Sequence, residues 1–230
     1  MSGSTSIEFS SFKISFKTLI LDWCKKKKIL DKIFYKKIGL NYYSNFFEEK
    51  KSYFLSAKLK EKKLKYKMGG MAHLNLIYNL NKHFLPKNIL ETGVAFGWST
   101  LVFILSKHKN SNLTCIDLSY PTKSSNKLVG GALPANFKKK FKLYEGVDFK
   151  YLEFFYEKKL FFDFIHYDSD KSYNGRKKNY KLIWKILSKR GCFISDDISD
   201  NSAFYEFVIF NKLNYHILKF KDKYVGVVIK

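Results

Sequence analysis

A chain of 230 residues suits one domain with an appendage, and 46% hydrophobic with 18% aromatic residues is enough for a core, which excludes a disordered or low-complexity protein. No segment approaches the roughly 20 apolar residues that cross a bilayer, so a membrane-spanning protein is not expected. The formal net charge of +23 suits nucleic acid or a membrane surface, but it comes mostly as lysine beside many Phe, Tyr, Ile and Asn residues. A/T-rich codons explain that bias without a polyanionic partner, and no nucleic-acid partner is expected.

The first residues, Met1 to Ser6, are small and polar and are expected to be unstructured. The apolar run Thr18 to Trp23 is short and four lysines follow it, which is not a signal-peptide design. Cys24, Cys115 and Cys192 are odd in number and far apart, which argues against a disulfide framework and fits a reducing cytoplasm. From Ile7 to Lys67, aromatic and apolar residues interleave with lysine runs, giving two or three basic amphipathic helices broken near Gly39 and Asn41. Residues 1–67 read as a basic helical cap over the sheet, or as a basic surface centred on Lys25 to Lys28; residues 68–230 read as the main domain.

Lys67-Met68-Gly69-Gly70 interrupts the pattern, and Met71, Leu74, Ile77 and Tyr78 then mark one helical face. Asn88 to Leu105 follows as strand, tight turn and helix. Glu91 ends the strand, Gly93 and Gly97 shape the turn, and Trp98 and Ser99 begin the helix. The order Glu-x-Gly-x-x-x-Gly differs from the three-glycine dinucleotide fingerprint. A strand-end carboxylate is a poor neighbour for a pyrophosphate and a good one for a cationic amino-acid moiety.

Asn112 to Asp117 is a second strand ending in an acid, roughly 20 residues past the glycine turn, as the ribose-binding acids of nucleotide folds are. Tyr120 to Phe137 is a long loop. Lys140 to Glu145 reads as a third strand and Asp148 to Glu157 as a helix. Asp148 is placed either for an adenine amine or for the helix dipole. Phe161 to Tyr167 is a doubly buried strand that runs into Asp168-Ser169-Asp170-Lys171-Ser172-Tyr173. In the next helix Tyr173, Tyr180, Ile183, Trp184 and Leu187 share one face, and Arg176, Lys177, Lys181 and Lys185 fall elsewhere on the surface. Gly191 stops it before the strand Cys192 to Ser195 and Asp196-Asp197. A helix around Phe204 precedes two strands, Tyr215 to Phe220 and Tyr224 to Ile229, in an antiparallel hairpin.

Consecutive parallel strands bring Asp168, Asp196 and Asp197 to one edge, where such a cluster calls for a cation. Either a hard divalent ion, Mg²⁺ first, or Lys171 and Arg176 can neutralise it. The glycine turn and the two acid runs together resemble class I S-adenosylmethionine-dependent methyltransferases, in the branch of catechol O-methyltransferase and the metal-dependent sugar O-methyltransferases. The likeness covers roughly Met68 to the C-terminus.

It implies a doubly wound α/β fold: a mostly parallel seven-stranded sheet with a reversed last strand. It also implies S-adenosylmethionine contacts at Glu91, Gly93, Gly97, Trp98, Ser99, Asp117 and Asp148; the helix after Gly69-Gly70 feeds directly into the Asn88 strand, which sets that turn beside the cofactor or leaves it as a joint. Asp168, Asp196 and Asp197 match ligands of a divalent cation. Here Ser169 and Lys171 replace the Gly and His of the branch's Asp-Gly-Asp-His. Lys171 matches the lysine base of catechol O-methyltransferase and is expected to have its pKa depressed by burial and by the nearby cation; Asp170 and His166 are the other candidate bases. The implied activity is O-methyl transfer to a small, polar acceptor, neutral or anionic, a sugar of a surface polysaccharide or its nucleotide-linked or phosphorylated precursor. A homo-oligomer is compatible with this reading, and a non-catalytic polyanion-binding protein and a nucleic-acid methyltransferase are the alternatives.

Overall fold

The computed structural model describes residues 16–64, 68–118 and 128–230; the expectations for Met1 to Ser6 and for the first part of the long loop lie outside them. The apolar runs become seven strands: β1 (Asn88–Thr92), β2 (Asn112–Asp117), β3 (Lys142–Glu145), β4 (Phe162–Tyr167), β5 (Leu187–Ser195), β6 (Tyr215–Phe220) and β7 (Lys223–Ile229). They form one sheet in the order β3-β2-β1-β4-β5-β7-β6. All pairs among β1 to β5 are parallel, whereas β7 runs antiparallel to both β5 and β6. The reversed strand, last in the chain, thus sits inside the sheet, and β6 forms its edge.

The cap contains four described helices, α1 (Phe16–Lys27), α2 (Asp31–Lys37), α3 (Phe46–Glu49) and α4 (Lys51–Lys62), and the expected break at Gly39 falls between α2 and α3. Then come α5 (Leu74–Phe84), α6 (Trp98–Ser106), α7 (Asp148–Glu157), α8 (Tyr173–Ile186) and α9 (Ala203–Phe210). Residues Ala135–Lys140 coil as a 3₁₀ helix, so the third strand starts later than its apolar pattern suggests. Conversely β5 starts before Gly191, at Leu187, and Arg190 adopts the left-handed conformation in the bend.

Apolar side chains divide between the two faces of the sheet. On one face α2 to α6 supply Phe34, Phe46, Ala57, Leu76, Ile77 and Phe103. On the other, α7 to α9 supply Leu152, Phe155, Tyr180, Ile183 and Phe204, joined by Ile20 and Cys24 of α1. Burial of a large apolar side chain contributes about 1.5–3 kcal/mol, so packing rather than helix propensity holds the lysine-rich cap. Polar ties reinforce it. Asn79 of α5 accepts from the Ser44 amide at 2.6 Å and donates to the Ser44 carbonyl at 2.8 Å. The chain after α1 also lies on the exposed sheet edge, with the Ile29 amide donating to the Ile217 carbonyl of β6 at 2.9 Å. Such a contact blunts an edge strand that would otherwise pair with another chain.

This topology fixes where chemistry can occur. β1, β2, β4 and β5 end side by side, so Asp117, Asp168 and Asp196 come to one edge of the sheet. Among the described residues, no helix is long and apolar enough to cross a membrane.

Candidate active site

A cavity of about 760 Å³ opens at that edge. Gly93 and Ala95 of the glycine turn, Asp117, Gly146 and Asp148 line one end, and Asp168, Asp170, Lys171, Asp196 and Lys223 the other. The segment Met68 to Met71 closes over it, which places the Gly69-Gly70 pair on the wall. The size is that of a cofactor or drug-sized site.

The glycine turn is held by the acid of the neighbouring strand. Asp117 Oδ2 accepts from the amides of Val94 at 2.8 Å and Ala95 at 2.7 Å. Burial raises the Asp117 pKa, and the two amides pull it back. Gly93 has φ of 87°, and a Cβ there would lie 2.3 Å from the Asp168 carbonyl oxygen, so only glycine lets the ends of β1 and β4 approach this closely. Gly97, with φ of 92°, makes room on the other side of the turn, where a Cβ would meet Leu133 at 2.9 Å in the segment that returns over it. That segment is tied down by Gly130 donating to the Ala95 carbonyl and Ala132 to the Phe96 carbonyl.

Several residues expected at the cofactor stand behind the cavity wall. Glu91 is fully buried and does not line the cavity; Oε2 accepts from the Thr100 hydroxyl at 2.6 Å and the Cys115 thiol at 3.2 Å. Burial raises its pKa, partly opposed by His166. Glu91 thus fastens β1 to α6 and β2 from beneath. Ser99 is buried on the same helix start. Trp98 faces the cap, its indole Nε1 donating to Glu61 Oε1 at 2.9 Å and its ring packing on Phe54. Asp148 does line the cavity, but Oδ2 already accepts from the Ser169 hydroxyl at 2.5 Å and the Asn179 amide at 2.9 Å.

At the other end, acids and lysines interlock. The Lys171 ammonium bridges Asp168 Oδ1, at 3.0 Å, and Asp197 Oδ2, while Lys223 lies 3.0 Å from Asp197 Oδ1. Burial and then the nearby Asp196 push the Asp168 carboxyl up to about 6, against Lys171 and His166. Burial would also raise Asp197, but Lys171 and Lys223 outweigh it and hold that carboxyl low. The expectation that burial depresses Lys171 is reversed: burial acts in that direction, yet Asp168 and Asp197 prevail and raise its pKa. These two carboxylates hold it in the ammonium form.

Of the other candidate bases, Asp170 lines the cavity, but its Oδ1 accepts from the Ser172 amide at the start of α8. His166 is fully buried away from the cavity, with Nε2 3.5 Å from Asp196 Oδ1 and Nδ1 4.0 Å from Glu91 Oε1. Burial lowers its proton affinity, but Asp196, Asp168 and Glu91 together raise it above that of an ordinary imidazole.

These contacts answer the charge argument for a divalent cation. Asp197 has two ammonium partners, Asp168 one, and Asp196 faces a histidine with raised proton affinity. Among the described residues, no three His, Cys, Asp or Glu side chains converge as a metal-holding set. Asp168 Oδ1 and Asp196 Oδ1 are buried without a hydrogen-bond partner, yet they lie 3.0 Å from Lys171 and 3.5 Å from His166, so the carboxylates expected to hold a metal are met here by the chain's own basic groups.

One contributor was not expected, and another stands elsewhere than expected. Lys223 reaches the site because β7 returns antiparallel beside β5. Arg176, expected on the surface, is fully buried; it donates to the carbonyls of Asp197 at 2.8 Å and Asp196 at 3.1 Å. It thereby supports a turn in which Asp197 has φ of 53°, a costly conformation for a residue other than glycine.

Residues 90–198 match a family model described as Methyltransferase domain. Comparison of the sequence with curated proteins found no match. Among solved structures, a Staphylococcus aureus protein provisionally assigned as a caffeoyl-CoA O-methyltransferase is similar with a TM-score of 0.62 at 17% identity, over 78% of this chain and 92% of its own. An O-methyltransferase from Bacillus cereus in complex with SAH gives 0.58 at 16% identity, over 90% of this chain and 100% of its own. An SAH-bound methyltransferase from Podospora anserina gives 0.57 at 17% identity, over 99% and 100%. At these identities the structural likeness establishes the fold, and the family model supplies the domain's chemistry. Residues 90–198 thus match a methyltransferase domain, and the chain has the fold of the methyltransferases to which it is similar.

Proposed function

We propose that the protein transfers the methyl group of S-adenosylmethionine to a hydroxyl oxygen of a small polar acceptor. The acceptor proposed is a sugar of a surface polysaccharide or its nucleotide-linked or phosphorylated precursor. One observation carries the reading: a single cavity joins the glycine turn and Asp117 at one end to an acid and lysine cluster at the other. The names of the Staphylococcus aureus and Bacillus cereus proteins support oxygen as the accepting atom.

The cavity fits the cofactor. Gly69, Gly70 and Gly93 leave its wall free of side chains, and Asp117 and Asp148 present carboxylates at the end proposed for the nucleoside. When bound, S-adenosylmethionine supplies an electrophilic methyl on a sulfonium and leaves as S-adenosylhomocysteine once the new O–CH₃ bond has formed.

The remaining work falls to the chain itself. With its carboxyl at about 6, Asp168 is ionised near neutral pH and still basic enough to take the acceptor's hydroxyl proton. In this proposal Asp168 assumes the role expected of Lys171. Lys171 orients the acceptor oxygen by donating a hydrogen bond and balances the Asp168 charge. Lys223 adds a second ammonium on the cavity wall, which supports an anionic acceptor. Arg176 keeps Asp196 and Asp197 in place through their carbonyls. Holding both reactants in line accounts for most of the acceleration sought.

The test is an acceptor screen with S-adenosylmethionine, following S-adenosylhomocysteine release over nucleotide sugars, phosphorylated sugars, amines and thiols. Turnover with a hydroxylated acceptor, abolished in Asp168→Asn while cofactor binding persists, is expected. Methylation of amines or thiols alone would overturn oxygen as the target.

A further inference from the structure

A second cleft of about 770 Å³ lies at the opposite edge of the sheet, where β1 to β4 begin. Its wall includes Asn88, Asn112, Lys142 and Phe162 at these strand starts, with Lys139 and Lys140 from the 3₁₀ helix and Lys159 from the end of α7. No acid lines it. We infer that this cleft is a binding site for a multiply charged phosphate group, separate from the cofactor cavity.

The argument rests on uncompensated charge. None of Lys139, Lys140, Lys142 and Lys159 forms an ion pair among the described residues, in contrast to Lys171 and Lys223 at the other edge. The acid at the start of β4, Asp163, is already used: its Oδ2 accepts from the amides of Lys87 and Asn88 at 2.9 and 3.0 Å. Neighbouring ammonium groups in a concave surface raise the local positive potential and concentrate anions. Lys107 registers the crowding, since burial and then Lys140 lower its pKa. Instead of acids, two of the lysines rest on rings: Lys140 Nζ lies 4.3 Å from the Phe137 centroid and Lys142 Nζ 4.7 Å from that of Tyr144. Ring faces hold an ammonium without neutralising it, so its charge remains available to an incoming anion.

The cleft also has an apolar part. Phe141 and Tyr144, both part-exposed, line it beside Phe161, which is 52% exposed, with Phe155 and Phe162 buried behind them. That wall suits a planar base beside the phosphates. Two sources of the anion are thus distinguishable, an inorganic polyphosphate and a nucleotide.

The test is calorimetric titration of the full chain with inorganic triphosphate and, separately, with ATP, GTP, CTP and UTP at physiological salt. One-site binding is expected. It should weaken by about ten-fold or more when Lys139, Lys140, Lys142 and Lys159 are all changed to Gln. S-adenosylmethionine affinity and thermal midpoint, measured on the same variant, verify that it is folded. Equal affinity for triphosphate and nucleotides assigns the site to phosphate alone, and tighter nucleotide binding assigns it to a nucleotide. Absence of saturable binding overturns the inference. So does equal binding to wild type and the folded variant, because the attraction would then be general to the net charge.

Discussion

Asp168→Asn should make the protein more stable at pH 8 while removing its proposed catalytic base. The carboxyl rises from 3.8 to about 6 in the fold. A raised carboxyl means that folding favours the protonated form. The stabilising contribution is therefore fully present below pH 3.8 and is lost as pH rises through 6. The span between those values corresponds to about 3 kcal/mol of unfavourable charge burial at pH 8, an upper bound for a side chain that is 20% exposed. Asparagine avoids that cost, and the ion pair with Lys171 is not subtracted again because its attraction already holds the carboxyl down to about 6; partial exposure of the pair cuts the gain to roughly half. A net gain of about 1–2 kcal/mol follows, or a rise in thermal midpoint of about 2–8 °C for a chain of this length. The assay is thermal unfolding of both proteins from pH 4 to pH 8. The gap should be widest at pH 8 and close towards pH 4. A variant less stable than wild type at pH 8, or a gap that widens on acidification, would refute the reasoning.

Other outcomes follow from the same geometry. Lys171→Met removes the main positive charge that holds Asp168 down, so turnover should fall and the acid limb of its pH profile should move upward from about 6; an unmoved limb would show that Lys171 does not act through Asp168. Asp117→Ala strands the amides of Val94 and Ala95, at about 1–3 kcal/mol for each buried donor left unpaired. Cofactor affinity should drop by at least about ten-fold with it, and unchanged affinity in a calorimetric titration would count against the role of the turn. Because ammonium groups balance the acids, turnover should persist after exhaustive chelation. Loss of activity restored by Mg²⁺ would instead give Asp168 and Asp196 to a metal.

Much of the site could be read from the chain because strand-end acids and turn glycines follow local rules. The apolar run into Asp168 and the run into Asp196-Asp197 mark neighbouring strands, and their shared edge follows from the connection rules. What could not be read depends on the third dimension. Glu91 ends its strand as a ligand-binding acid would, but its side chain points under the turn to Thr100, which spacing alone does not reveal. Arg176 sits among lysines in a polar helix and looks solvated; only the left-handed turn at Asp197 calls for a buried guanidinium there. Lys223 lies far along the chain and arrives through the antiparallel return of β7. The sign of the Lys171 shift depended on which acids surround it, because burial alone points the other way.

The most direct test of the account is calorimetric titration of the purified protein with S-adenosylmethionine. Saturable one-site binding with a dissociation constant of about micromolar order, weakened in Asp117→Ala, is the predicted result. No binding to a protein shown to be folded would contradict the assignment of the cavity at Gly93 and Asp117 to this cofactor.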